Sequence, residues 1–216
     1  MSDNETFLAE LDAQNRAALD RIGASASREP AGGVTVGKLL VMALKSEIEA
    51  TECAAGWIAT TPEIDVKLAL ARQAGDEAKH FRLIEKRLGE LGVDVSGFDP
   101  SPRSPMLAYL ASITTTVERV AAGQFTREAL AVVRNDEFIR FCMGTGDPAT
   151  AALYRDIIQP DERHHHELGR SLLAKLAVTP SEQAAARNAA RRTLDLAEEL
   201  QELAYMKLGF SRAPGC

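Results

Sequence analysis

The chain has 216 residues, with 25 Lys and Arg against 31 Asp and Glu and a formal net charge of −6, which leaves no basic footprint for a phosphate backbone and sets nucleic acid aside as a first partner. Apolar residues make up 45% and aromatics only 5%. That is the balance of an all-α protein rather than a sheet, at a length that suits one domain with a proper core.

The opening Met1-Ser2-Asp3-Asn4-Glu5 is acidic with no apolar run behind it. No stretch reaches the roughly eighteen apolar residues of a membrane span, so no membrane partner and a cytoplasmic location are expected. Cys53, Cys142 and Cys216 form no Cys-x-x-Cys pair, which excludes a thiolate iron or zinc centre and leaves spectator thiols in a reducing compartment.

Apolar residues at helical spacing from Phe7 to Ile22 predict an N-terminal helix, which the Ser-, Ala- and Gly-rich stretch Gly23 to Gly33 ends. Residues 1–35 are read as that helix and a linker. A first long helix is expected from Val36 to about Ala59, with Leu40, Ala43, Leu44, Thr51, Ala54 and Ile58 on one face. Thr61-Pro62-Glu63 then reads as a cap with proline at the first helical position, opening a second helix that ends at Gly92. The Gly- and Pro-rich stretch from Gly92 to Pro105 is long enough to return along a bundle. A third helix is expected from about Pro105 to Met143, with a break near Gly123, and a fourth from Asp147-Pro148 to about Val178. Residues 36–178 thus hold four helices. Thr179-Pro180-Ser181-Glu182 is a capping box that opens a C-terminal helix, ending at Gly209, in a capping segment of 179–216.

The second and fourth helices each carry Asp, Glu, and a His three residues after the Glu: Asp76-Glu77-Ala78-Lys79-His80 and Asp161-Glu162-Arg163-His164-His165. Positions i and i+3 lie on one helix face a turn apart, so each carboxylate and imidazole converge on one point. The other two helices each offer one inward glutamate. Glu47 shares the apolar face of the first helix, whereas Glu49 and Glu52 do not. Glu128 sits with Ala121, Gln124, Phe125, Ala131 and Val132 in the third, and Glu118 and Glu137 fit less well.

Four carboxylates aimed into an apolar interior are costly unless cations compensate them, and two divalent ions balance four negative charges. Oxygen-rich ligation with one imidazole per ion suits iron or manganese. In the fourth helix Glu162 pairs with His165 at i+3 and with His166 at i+4. The apolar neighbours Tyr154, Ile158, Leu168 and Leu172 favour His165, with His166 as the alternative. Pro160, just before the motif, removes a backbone hydrogen bond and is expected to kink or bulge the helix.

These motifs resemble the ferritin-like di-iron carboxylate superfamily, over roughly residues 36 to 178. The Asp before each Glu is similar to the form found in bacterial di-iron monooxygenases, desaturases and ribonucleotide reductase small subunits. The resemblance implies a ferritin-like four-helix bundle with added N- and C-terminal helices, in which Glu47, Glu77, His80, Glu128, Glu162 and His165 hold two Fe ions, or Mn or a mixed pair. Asp76 and Asp161 would orient the histidines. It further implies an oxidoreductase, a monooxygenase or hydroxylase using O2 on a small-molecule substrate, with Gln124, Phe125 and Leu44 lining the pocket. Electrons would come from a separate reductase or ferredoxin, since no flavin or iron–sulfur motif is present, and a homodimer is compatible. Ile84 stands where a radical tyrosine is expected, one turn after His80, and the rubredoxin cysteines of a complete rubrerythrin are missing. The alternatives are iron oxidation or peroxide reduction of the ferritin or rubrerythrin kind, and a tRNA-modifying hydroxylase, against which the acidic charge argues.

Overall fold

A computed structural model describes residues 3–26, 33–208 and 214–215. Among them the regular structure is all helix: α1 (Asp3–Ala26), α2 (Val36–Ile58), α3 (Ile64–Glu90), α4 (Pro105–Ser112), α5, α6 and α7 (Pro180–Leu208). Helix α5 is continuous through Thr116–Val120, a π-helical stretch Ala121–Arg127, and Glu128–Gly144. Helix α6 likewise runs through Pro148–Leu153, a π-helical turn Tyr154–Ile158, and Gln159–Leu176. No helix among the described residues is long and apolar enough to cross a membrane.

Much of the punctuation in the sequence acts as read. The Asp147 carboxylate accepts from the Thr150 amide at 3.0 Å, with Pro148 in the first turn of α6. At the start of α7 the Thr179 hydroxyl accepts from the Glu182 amide at 3.2 Å, while the Glu182 carboxylate accepts from the Thr179 amide at 2.8 Å, closing the reciprocal box. The expected end of that helix at Gly209, most of the linker after α1, and Cys216 lie outside the described residues.

Two boundaries differ from expectation. Thr61 does not cap α3, because its hydroxyl donates back to the Trp57 carbonyl at 2.9 Å and so closes α2, and α3 begins at Ile64. The third helix is not continuous from Pro105. It stops at Ser112, the chain extends through Ile113, and α5 restarts with Thr115 as its cap. Arg119 holds this break open by donating from Nε to the Ile113 carbonyl at 3.0 Å, a side-chain bond that takes the place of a helical one.

Helix α2 packs along α3 and α5 along α6, each pair joined by a short turn, while residues 91–104 cross from one pair to the other. Helix α7 lies on the π-helical stretch of α5, and α1 packs on α5, α6 and α7. The core divides into two apolar clusters. One includes Trp57, Leu70, Phe125 and Leu172, the other Leu44, Ile84, Phe138 and Tyr154. Along each of the four long helices, the positions between the clusters carry Glu47, the Glu77–His80 pair, Glu128 and the Glu162–His165 pair.

The π-helical stretches sit immediately before Glu128 and shortly before Glu162, and each inserts one residue into its helix, re-aiming the side chains that follow. Pro160 thus bulges α6 rather than breaking it. The α5 stretch fits because two glycines make room. A Cβ on Gly123 would lie 2.9 Å from the Trp57 ring, and one on Gly169 would lie 2.7 Å from both the Gln124 carbonyl carbon and the Phe125 nitrogen. The second contact is with backbone and cannot yield. Gly169→Ala is therefore expected to cost about 1–3 kcal/mol in urea unfolding, as overpacking does. Gly75→Ala, in the exposed interior of α3 with nothing within 4 Å of the added carbon, is expected to gain about 0.5–1 kcal/mol from helix propensity alone.

Candidate metal centre

Each cluster residue arrives from a different turn of the four long helices, and all six are at most 2% exposed. Their ligand-type atoms form two overlapping groups: Glu47, Glu77, His80 and Glu162, and Glu77, Glu128, Glu162 and His165, with the atoms of each group within 4.8 Å of one another. Glu77 and Glu162 belong to both groups. Glu77 Oε2 lies 3.3 Å from His80 Nδ1 while its Oε1 lies 3.7 Å from His165 Nδ1. Glu162 repeats the pattern, with Oε1 at 3.7 Å from His80 Nδ1 and Oε2 at 3.9 Å from His165 Nδ1. Glu47 and Glu128 complete the two groups from outside, 3.6 Å from His80 and from His165 respectively. The two halves therefore mirror one another about a bridging pair of carboxylates.

The aspartates act across the helix pairs rather than within their own motifs. His80 on α3 donates from Nε2 to Asp161 on α6 at 3.1 Å, and His165 on α6 donates from Nε2 to Asp76 on α3 at 3.1 Å. A carboxylate accepts only, so each Nε2 carries a proton and each Nδ1 faces the cluster, where it would offer its lone pair to a metal ion. Lys79 ties the outer layer together, 2.6 Å from Asp161 and 3.8 Å from Asp76, and Arg72 lies 3.5 Å from Asp76.

His166 is not part of the cluster. Its Nδ1 donates to the Phe125 carbonyl, within the π-helical stretch, at 2.6 Å, and its ring stacks on Phe125 with centroids 5.0 Å apart. His164 is half-buried on the far side of the motif. Glu49 is buried but bonds to the Ser104 amide at 2.8 Å and to the Ser104 hydroxyl at 2.5 Å, fixing the start of α4. Glu52 is exposed, Glu118 caps α5 through Thr115, and Glu137 pairs with Arg140. Cys53 and Cys142 are buried free thiols, pushed up to about 12 chiefly by burial. One participant escaped the sequence reading. Gln73 donates from Nε2 to Glu128 at 2.7 Å and lies 3.4 Å from Glu77, four residues away on its own helix. That i,i+4 spacing is the signal that marks it.

The donor set is not satisfied by the protein alone. Glu47 Oε1, both oxygens of Glu162 and Nδ1 of His165 have no hydrogen-bond partner although fully enclosed, an expensive state for charged groups. Burial pushes the Glu162 carboxyl well above its ordinary value, and the charges of Glu77 and Glu128 push the same way. Glu77 rises for the same first reason, to about 7. Burial opposes charge on the histidines, but contact with Glu47 and Glu77 outweighs it and raises His80 to about 11, while contact with Glu128 raises His165 to about 9. Glu128 alone goes down, because Glu162 and His165 outweigh its burial. Without metal cations the pocket approaches neutrality only by retaining protons. Four carboxylates and two imidazoles, with Glu77 and Glu162 common to both groups, could hold metal ions.

Comparison with protein-family models, with curated proteins and with solved structures returned no match.

The raised groups set a pH dependence. Glu77, Glu162, His80 and His165 bind protons more tightly folded than unfolded, so the stability they contribute is present below their unfolded values and is lost as pH rises. The metal-free protein is therefore expected to lose thermal stability steadily from about 4.5, the ordinary glutamate value, through about 11, the raised value of His80. Saturating Mn(II) or Fe(II) under argon should reverse the slope, because metal binding takes up the same sites as protons leave. Melting curves across this range with and without metal check both signs.

Proposed function

We propose that the protein is a ferritin-like non-haem di-iron oxygenase or hydroxylase, acting on a small organic substrate with O2 and electrons from a separate donor. The observation that carries this reading is the enclosed, mirrored set of Glu47, Glu77, His80, Glu128, Glu162 and His165, with Glu77 and Glu162 common to both halves. Glu47, Glu77, Glu162 and His80 would hold one ion and Glu77, Glu128, Glu162 and His165 the other. Two ferrous ions in such a setting supply binding and reduction of O2.

The chain's own residues supply the rest. Asp161 and Asp76 fix the tautomer and orientation of the two histidines, and Gln73 holds Glu128 through a hydrogen bond. Glu162 and Glu77, both raised above ordinary carboxylates, release protons when cations enter. The apolar clusters on either side exclude water. Gln124, fully enclosed on the π-helical stretch one turn before Glu128, has neither amide atom hydrogen-bonded. An unpaired buried amide costs stability, which supports a polar contact with a substrate at that end of the pocket.

Anaerobic Fe(II) titration is expected to reach two ions per chain, and admission of O2 to oxidise them. Glu77→Ala and Glu162→Ala, each removing a shared carboxylate, should abolish binding at both positions. Asp161→Asn should weaken it by about 10–100-fold, as loss of a histidine's outer partner does. Two ions per chain in a large multi-subunit particle, with no small-molecule oxidation, would favour iron handling as the function in itself. Fewer than one ion per chain under all conditions would refute the two-metal reading.

A further inference from the structure

Helices α2 and α5 run on the same side of the cluster but approach each other closely along little of their length, unlike the tightly packed α2–α3 and α5–α6 pairs. Behind this seam lie Glu47, on α2, and the fully buried Asn135, two turns after Glu128 on α5. A segment distant in sequence fills it. Pro214 and Gly215 are both buried, and the Gly215 amide donates to Asn135 Oδ1 at 2.9 Å.

Gly215 adopts φ +83°, and a Cβ built on it would lie 3.2 Å from Ser46 Cβ, 3.3 Å from Ser46 Oγ and 3.4 Å from Glu47 Oε1. Both the backbone conformation and the room therefore require glycine. The nearby Glu47 oxygen has no hydrogen-bond partner, so the glycine covers a cluster carboxylate without engaging it. Beside Pro214 lies a crevice of about 160 Å3, lined by Lys45 and Ser46 of α2, Arg134 of α5, Met106 of α4 and Leu200 of α7.

We propose that Pro214–Gly215 is a removable plug over the Glu47 side of the cluster, and that metal ions enter and leave through the α2–α5 seam when it withdraws. This rests on the two-metal reading above. Among the described residues this segment makes one side-chain hydrogen bond, to Asn135, and such a seat opens more readily than the four long helices separate, so its withdrawal is the low-energy route to an enclosed site. Asn135 has a second role on this view. It is a latch that positions the plug, not a metal ligand.

The test is Co(II) loading of the full chain followed by removal with excess EDTA, in the unsubstituted protein, in Gly215→Val, which the φ angle and the Ser46–Glu47 contact reject, and in Asn135→Ala, which removes the latch. Amide hydrogen exchange at position 215 reports whether the segment is seated. The proposal expects protection at 215 in the unsubstituted protein and its loss in both variants. Release should become about tenfold faster or more at unchanged Co(II) stoichiometry, as local opening becomes dominant. Equal release rates overturn the plug alone, as does an amide at 215 that exchanges freely in the unsubstituted protein or stays protected in both variants. A chain that binds no Co(II) overturns the two-metal reading and the plug with it.

Discussion

Enclosing four glutamates and two histidines between two apolar clusters is the constraint on which the rest of this structure depends. Removing ionised carboxylates from water costs several kcal/mol each even after relaxation, and Glu47 Oε1 and both oxygens of Glu162 are enclosed with no hydrogen-bond partner. Such an interior could hold metal cations. Protons are the substitute available to the polypeptide, which is why burial drives Glu77 and Glu162 up and the histidines follow their carboxylate neighbours.

Geometry is set from further out. The π-helical stretches of α5 and α6 turn Glu128 and Glu162 toward the middle of the four helices, and the α5 stretch is accommodated because Gly123 and Gly169 leave no side chain against Trp57 and the Gln124–Phe125 backbone. His166 adds a hydrogen bond to the Phe125 carbonyl within the α5 stretch. Around the cluster, Asp76 and Asp161 cross from one helix pair to the other, so the same two bonds that orient the imidazoles also join α3 to α6. Lys79 then bridges the aspartates at the surface. Packing, helix irregularity and histidine orientation are in this way one connected arrangement.

The candidate site was legible in the sequence because helical periodicity is a local rule. A Glu and a His three residues apart must share a face, and the apolar stripe around Glu47 and Glu128 told which way those carboxylates point. His165 was separable from His166 on the same ground. What stayed hidden depends on partners distant in the chain. Thr61, which closes α2, and Arg119, which bonds back to Ile113 at the helix break, are held in place by the 3.2 Å bond from Arg119 to the Thr61 hydroxyl, which no local cap pattern announces. Pro160 and Gly123 marked where the helices deviate but not that they widen into π geometry. That each aspartate serves the opposite histidine, and that Gly215 rests on Glu47, follow only from how the two helix pairs meet.

The central claim is that these six side chains surround two metal ions with Glu77 and Glu162 between them. Anomalous X-ray scattering at the iron edge, from crystals grown with Fe(II) under argon, tests it most directly. The account predicts two peaks about 3.5–4 Å apart, the spacing of two-metal centres, one beside His80 and Glu47 and the other beside His165 and Glu128. A single peak, or none between α3 and α6 at full iron saturation, would contradict it.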